Sequence, residues 1–462
     1  MSGCLLDDPP FRENNTPLRL LPIEGLSIKT AINNDPLPEE SSELSASATS
    51  RLRLAGKRVA VIVYSNYLTD PRPRRAAEAL ANEGASVEVI SLREMDEGPQ
   101  QESFNGVHIT RVPLKHQRGG FISYLIRYGS FILLSGAILA RRAWKRRYDL
   151  VHVHNMPDVL VFSALAPKVL GAKVILDLHD PMPELMITIF GLRENSYWVR
   201  LFKQLEKWSM HFADSVIVVN ESNKRLFSAR SCRPEKMCVV MNSPDETIFQ
   251  YREPPGQAVT RRDASKPFVV MYHGSLVERH GLDLAVTALR KIRETIPDAE
   301  LRIYGRSTPF LEVVMRSVQK SELCKAVQYL GQKKLEQIVQ AIHGCDVGLI
   351  PNRRSIFTEL NTPTRIFEYL SQGKPVIAPK ARGITDYFGP QDLVFFELGN
   401  ADDLAAKVQY VFEHPEETVR IVERGQEVYR SHKWSSQRRR FVKLVGVILD
   451  SKTPGRTDLK TT

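Results

Sequence analysis

The run from Glu359 to Pro379, ELNTPTRIFEYLSQGKPVIAP, has the residue types of a short helix aimed at a ligand. Thr362 and Pro363 read as its start, the hydroxyl capping free amides and the proline taking the first helical position with its preset φ. Gly373 ends the helix, and Pro375 to Pro379 continues as a strand buried on both faces. Early amides of such a helix carry unpaired N–H groups at the positive end of the helix dipole. An anion such as a diphosphate is their natural occupant. Glu368 falls about one and a half turns further in, where a carboxylate accepts from sugar hydroxyls. Arg365, in the first turn, opposes the dipole, and either an anionic partner or solvent explains it. An ordinary capped surface helix reads the same way.

Further candidates end strands elsewhere. In YHGSLVERHGLDLAVTAL, residues 272–289, Gly274 lets the backbone approach a ligand. Arg279 or His280 can meet phosphate oxygens before a helix that begins near Leu282, although Gly274 also suits a plain tight turn. VHVHN, residues 151–155, puts His154 at the mouth of a strand, with His152 facing the sheet interior. LDLHDPMPE, residues 176–184, adds His179, Asp180 and Glu184. Carbohydrate hydroxyls need several donors and acceptors in fixed positions, which two such loops supply. A histidine at a strand end is also often a satisfied structural group. Ser65, Asn66 and Tyr67, followed by Asp70, Pro71 and Arg72, make a second polar wall. That loop lacks GxGxxG, which counts against a dinucleotide-dependent oxidoreductase.

The elements positioning these loops alternate. KRVAVIVY, ASVEVISL, GVHITRVPL, YDLVHVH, AKVILDLH, ADSVIVVN and KMCVVMN read as strands, mostly separated by helical patterns. A second series follows: PFVVMYHG, AELRIYG, AVQYLG, DVGLIP, KPVIAP and LVFFE. The fold class is α/β, two Rossmann-like doubly wound parallel-sheet domains facing across a cleft. Residues 1–52 read as a mobile tail, 53–243 as the first domain, 244–266 as a Pro- and charge-rich linker and 267–424 as the second domain. Residues 451–462 read as a flexible tail.

A chain of 462 residues suits two domains, and 42% apolar with 25% charged residues reads as globular. The net charge of +11 suits an anionic substrate, membrane surface or nucleic acid. Without a compact arginine-rich helix interleaved with aromatics, nucleic acid is set aside. Five scattered cysteines without CxxC spacing fit a reducing compartment, and no secretory pattern opens the chain, so the expected location is cytoplasmic. FISYLIRYGSFILLSGAILA, residues 121–140, precedes Arg141, Arg142, Lys145, Arg146 and Arg147. Arg127 and the flanking strands argue against a membrane crossing. Residues 121–147 therefore read as a covering helix or a peripheral contact with the inner face of a membrane.

These segments together resemble the family 4 retaining glycosyltransferases of GT-B fold, from about Lys57 to about Leu449. The resemblance rests on DPRPRRAAEAL, YDLVHVHNMPDVLVF, LDLHDPMPEL, ADSVIVVNES, VVMNSPDE, YHGSLVERHGLDLAVTAL and NTPTRIFEYLSQGKPVIA, with Trp434 in the late helices. It implies transfer of a hexosyl group with retention from a nucleotide-diphosphate sugar, uridine or guanosine, to a glycan or lipid-linked acceptor in polysaccharide or glycolipid synthesis. Glu368 resembles the second glutamate of the family's pair, which binds the donor ribose. Eight residues separate Glu359 from Glu368, one more than that pair allows, so Leu360 holds the first glutamate's place. Amides near Asn361 and Thr362 would then share the role expected of Glu359. Ser275 and His280 stand where the family has its basic pair, leaving phosphate binding to His280, Arg279 or Arg365. His154 resembles the histidine beside the reacting carbon, and the Asn66 loop resembles the acceptor-facing first turn. Acceptor contacts are expected from Asn66, Tyr67, Arg72, His179, Asp180 and Glu184. The family's last helices return to the first domain, placing 425–450 there. No DxD signature occupies a suitable loop, so neither a metal nor another cofactor is expected. A nucleotide-sugar epimerase and a catalytically silent partner are the competing readings.

Overall fold

The computed structural model describes residues 53–93, 99–114, 121–254 and 265–451. The tails expected at 1–52 and from 452 onward, and residues 255–264 of the expected linker, lie outside them. The N-terminal sheet contains β1 (Arg58–Ile62), β2 (Ser86–Leu92), β3 (Gln101–Phe104), β4 (Val107–Val112), β5 (Leu150–His154), β6 (Lys173–Leu178), β7 (Ser215–Val218) and β8 (Met237–Val239). Their order is β3-β4-β2-β1-β5-β6-β7-β8. The C-terminal sheet contains β9 (Val269–His273), β10 (Glu300–Tyr304), β11 (Val327–Tyr329), β12 (Val347–Leu349), β13 (Val376–Pro379) and β14 (Val394–Phe396), in the order β11-β10-β9-β12-β13-β14. Central strands such as RVAVI in β1 are buried at every position, as helices on both faces require.

One strand departs from the expected parallel scheme. β3, QESF, is mostly exposed and pairs antiparallel with β4 through Asn105 and Gly106, both at positive φ. Asn-Gly is the preferred pair for such a tight hairpin, and the polar edge strand carries no apolar run to announce it.

In each sheet the strand order reverses beside the first strand, β1 or β9. Loops leaving the carboxyl ends there, 63–70 and 155–158 in one half and 274–281 and 350–363 in the other, hold many of the candidate residues, and His179, Asp180 and Glu184 follow β6 next to them.

The N-terminal sheet is covered by Phe121–Lys145 and Tyr197–Phe212 on one face, through a core that includes Phe131, Leu139 and Met210. Pro71–Asn82 and Trp434–Asp450 cover the other, where Phe441, Leu444 and Val445 pack with Val59, Val61 and Leu150. No helix among the described residues is long and apolar enough to cross a membrane.

Two boundaries move from their expected places. Helix Pro415–Ser431 still packs with the C-terminal core through Val422 and Tyr429, so the chain crosses back at His432 and Lys433 rather than near 425. Of the expected linker, Phe249 is buried in that core and the Arg252 amide donates to the Ser371 carbonyl at 2.8 Å. The two crossing segments are tied to each other: the Ser243 hydroxyl donates to the His432 carbonyl, and the Met241 amide donates to Gln437 at 2.9 Å.

Phe441 lies against the His152 ring, 5.2 Å between centroids, and is nearly fully buried. Phe441→Ala should destabilise the chain by about 3–5 kcal/mol. Denaturant unfolding checks this, and a loss below about 1 kcal/mol would mean that the last helix is not part of the N-terminal core.

Candidate active site

In the C-terminal half, a corner beyond β9 is built on glycine. Gly274 has φ +122°, and a Cβ there would sit 3.3 Å from the Arg365 side chain. Arg365 donates to the His273 carbonyl at 2.7 Å and lies over the Tyr272 ring at 4.8 Å, so its guanidinium is fixed beside the Gly274 backbone. Arg279 is half-buried and its Nε has no hydrogen-bond partner among the described residues. Burial lowers its proton affinity, and Asp180 of the other half counters that effect, so the two charges interact across the cleft. The helix expected near Leu282 runs Leu282–Thr295 behind Gly281.

The short helix runs Thr364–Ser371, and Pro363 rather than Thr362 is its cap, without a side-chain bond. Thr362 instead donates to the Gly383 carbonyl and accepts from Asn220 at 3.0 Å. Tyr369 ties the helix to β9 by donating to the Met271 carbonyl at 3.0 Å. Glu368 is half-buried, with its carboxylate 3.3 Å from His273 Nε2. Burial pushes Glu368 up to about 7 despite the pull of Arg365 and Arg75, and burial with Arg365 lowers His273 to about 3.

His280 corrects an expectation. Its Nδ1 lies 2.9 Å from the Ser275 carbonyl, which can only accept, so Nδ1 carries the proton. Burial and the nearby arginines lower the ring to about 3, and the neutral ring then presents a lone pair at Nε2. Its one proton is engaged with the Ser275 carbonyl, and the cations beside it are Arg279 and Arg365. Ser275 is exposed and also accepts from the Tyr272 hydroxyl at 2.7 Å.

The N-terminal half supplies a chain of buried groups. His152 and His154 share one face of β5, ring centroids 4.2 Å apart, and both are fully buried. His154 therefore stands behind the mouth of the strand rather than at it. Its Nδ1 is 3.5 Å from Asp177 and 2.9 Å from Nε2 of His179, the ring with partial exposure. Burial keeps His154 well below its ordinary value and lowers His179 to about 4, so neither is charged near neutral pH. Arg72 donates to Asp177 at 2.7 Å and to the Val240 carbonyl at 3.0 Å, and holds that carboxyl well below the usual range against its burial.

Several expected acceptor contacts are committed elsewhere. Arg72 is 8% exposed and its donors are engaged. Glu184 takes both nitrogens of Arg230, at 2.5 and 2.9 Å. Tyr67 is buried, its hydroxyl 3.5 Å from the Arg74 carbonyl, and Asn66 turns back to the Leu68 amide at 3.1 Å. Asp180 remains at the cleft, its carboxyl raised by burial. Glu359 pairs with Arg382, amide at 3.3 Å and side chain at 3.6 Å, while the Leu360 carbonyl accepts from Asn220 at 2.8 Å. Asn361 is half-buried, and its carbonyl lies close to Gly383.

Among the described residues, donor atoms of His152, His154 and Asp177 lie within 4.8 Å of one another, a spacing that could hold a metal ion. Arg72 already balances Asp177, and a second cation there would meet that charge.

The description "Glycosyl transferase 4-like domain" matches residues 69–243, and "Glycosyl transferases group 1" matches 259–428. The chain belongs to the family 4-like glycosyltransferases of GT-B fold. It is similar to a probable glycosyltransferase, WbjE, of Pseudomonas aeruginosa: 21% identical over 52% of this chain and 59% of that one. With the sulfoquinovosyl transferase SQD2 of Arabidopsis thaliana it is 22% identical over 59% of this chain and 51% of that protein. The matches thus span little more than half the length of these relatives. Among solved structures, the sucrose-phosphate synthase of Thermosynechococcus elongatus superposes with a TM-score of 0.68 at 17% identity, over 86% of this chain and 100% of that one. Anabaena HepE in complex with UDP-glucose gives 0.61 at 16%, over 84% and 99%. At these identities the structural likeness shows the fold.

Two residues of this site escaped the sequence reading. His273 ends β9 as His154 ends β5, a parallel that was available. Arg75 donates to Asn242 at 2.6 Å and to the Ser243 carbonyl, and its charge also acts on Glu368. Nothing local marks it among neighbouring arginines.

Two outcomes follow from this geometry. Gly274→Ala should place a methyl against Arg365 at a φ that L residues rarely adopt, weakening uridine diphosphate binding about tenfold or more in calorimetry. Unchanged affinity would remove that corner from the site. Glu368 has a folded value raised from about 4.5 to about 7, so its neutral form supports the fold at low pH and that support is lost as pH rises through 7. Glu368→Gln should therefore be more stable than the natural chain at pH 8, by the order of 1–3 kcal/mol, with the advantage gone below about pH 5. Thermal unfolding at both pH values tests the sign.

Proposed function

We propose that this protein transfers a hexosyl group, with retention, from a nucleotide-diphosphate sugar to a glycan or lipid-linked acceptor, using no metal or other cofactor. The observation that carries the reading is the convergence of Gly274, Arg365, Arg279 and Glu368 beyond β9, opposite His179 and Asp180 across the cleft. Arg365 and Arg279 hold the diphosphate and neutralise the charge that grows as its bond to the sugar breaks. Glu368 accepts the ribose hydroxyls. Solved relatives of this fold carry UDP or UDP-glucose, which favours a uridine donor.

The acceptor oxygen bonds to the anomeric carbon on the face the diphosphate leaves, and the acceptor proton passes to the departing phosphate oxygen. No protein base is required for that step. His179, backed by His154, stays neutral and orients the acceptor hydroxyl by hydrogen bonding. Asp180 is the remaining acceptor contact, and the amides around Asn361 take the place of the glutamate displaced to position 359. A catalytically silent partner is favoured by one observation, the pairing of Glu359 with Arg382 beside an apolar Leu360.

Incubation with a panel of uridine and guanosine diphosphate sugars should release free nucleotide slowly, unchanged by a chelator. Glu368→Ala should lower donor affinity by about tenfold or more, whereas His154→Ala should impair transfer and spare donor binding. Release of no nucleotide from any donor would favour the silent partner. Isomerised donor without added acceptor would make it an epimerase.

A further inference from the structure

The N-terminal half exposes an apolar surface that the site does not use. Helix Phe121–Lys145 buries Phe131, Leu139 and Ala143 in the sheet core and turns Leu133, Leu134 and Trp144 outward, Leu133 75% and Trp144 84% exposed. Beside it, Leu165–Val169 exposes Leu165 and Val169, the latter 77%. Helix Tyr197–Phe212 exposes Tyr197 and Trp208 while Met210 enters the same core. All three helices therefore lie on one face of one sheet, flanking residues 158–164, which contact each of them. An isolated exposed leucine needs no explanation, but three adjacent helices doing so describe a patch.

Charge selects the occupant. Between Glu102 and Asp149 the chain has no acidic residue, and the patch ends in exposed Arg141, Lys145, Arg146 and Arg147. Exposed Arg200 and Lys207 accompany the aromatics of the third helix. Tryptophan and tyrosine with apolar bodies and polar edges, bordered by lysine and arginine, match the boundary between acyl chains and anionic headgroups. The first of these helices also touches the candidate acceptor loop from its inner side, the Tyr64 ring standing edge-on to half-buried Tyr128 at 4.7 Å and to buried Phe131 at 5.1 Å.

We propose that this composite face, formed by helices 121–145, 165–169 and 197–212, seats the protein on an anionic lipid bilayer. The face deepens the transferase reading and rests on it only for its use, since an acceptor held in the bilayer would meet the loop at Tyr64. Binding itself needs no sugar donor.

The full chain is sedimented with phosphatidylcholine vesicles and with vesicles that also contain phosphatidylglycerol, without nucleotide. Binding should be confined to the anionic vesicles and fall as salt is raised. Arg146→Gln with Arg147→Gln should lower partitioning about 25-fold, about fivefold per charge, and Leu133→Glu with Trp144→Glu should abolish it. Both double variants change exposed side chains, so their melting temperature and nucleotide affinity should match the natural chain. Equal behaviour of the variants, or no binding to anionic vesicles, would overturn the proposal. A dimer in solution dissolved by Leu133→Glu, with no vesicle binding, would give the face to a second copy. Vesicle binding by a protein that turns over no donor would sink the transferase reading and leave this one standing.

Discussion

Two arginines one helical turn apart tie the histidine wall of the site and the crossing segment to a single helix. Arg72 neutralises Asp177, the carboxylate beneath His154 and His152, while Arg75 reaches the crossing segment at Asn242 and Ser243 and acts on Glu368. Positions three apart on a helix share a face, so one turn of Pro71–Asn82 serves both the buried carboxylate and the crossing segment. A buried carboxylate without such a partner takes up a proton, and Glu368, with weaker compensation than Asp177, sits near that point.

The same comparison explains how the histidines divide their work. Three imidazoles lie at one carboxyl edge, yet burial strips the charge from His154 and His179, and with Arg72 already paired those two rings are a neutral pair rather than a cationic one. Positive charge is left to guanidiniums on the other side of the cleft, where Arg365 lies beside the Gly274 backbone. One wall thus presents neutral imidazoles and the other guanidiniums.

Much of this was legible in the sequence. Every apolar run read as a strand forms one, because parallel strands covered on both faces must be apolar throughout; QESF escaped because an exposed edge strand need not be. Gly274 and the helix after Gly281 were readable from backbone demands, and Gly281 could not carry a Cβ, which would meet the Pro351 carbonyl. Partners distant in sequence were not readable. Thr362 looks like a cap until Asn220 arrives from the other half, Arg72 looks available until Asp177 does, and the proton on His280 is decided by a carbonyl five residues earlier. The eight-residue gap between Glu359 and Glu368 was visible, but not that Arg382 would claim the displaced carboxylate.

The return of Trp434–Asp450 makes the modules unequal to the chain order. A recombination event that exchanged everything after the crossing segment would import a new second half together with the layer that seals the recipient's first sheet. Such an exchange yields a sealed first sheet only where the incoming terminal helix fits it, as Phe441, Leu444 and Val445 fit Val59, Val61 and Leu150 here.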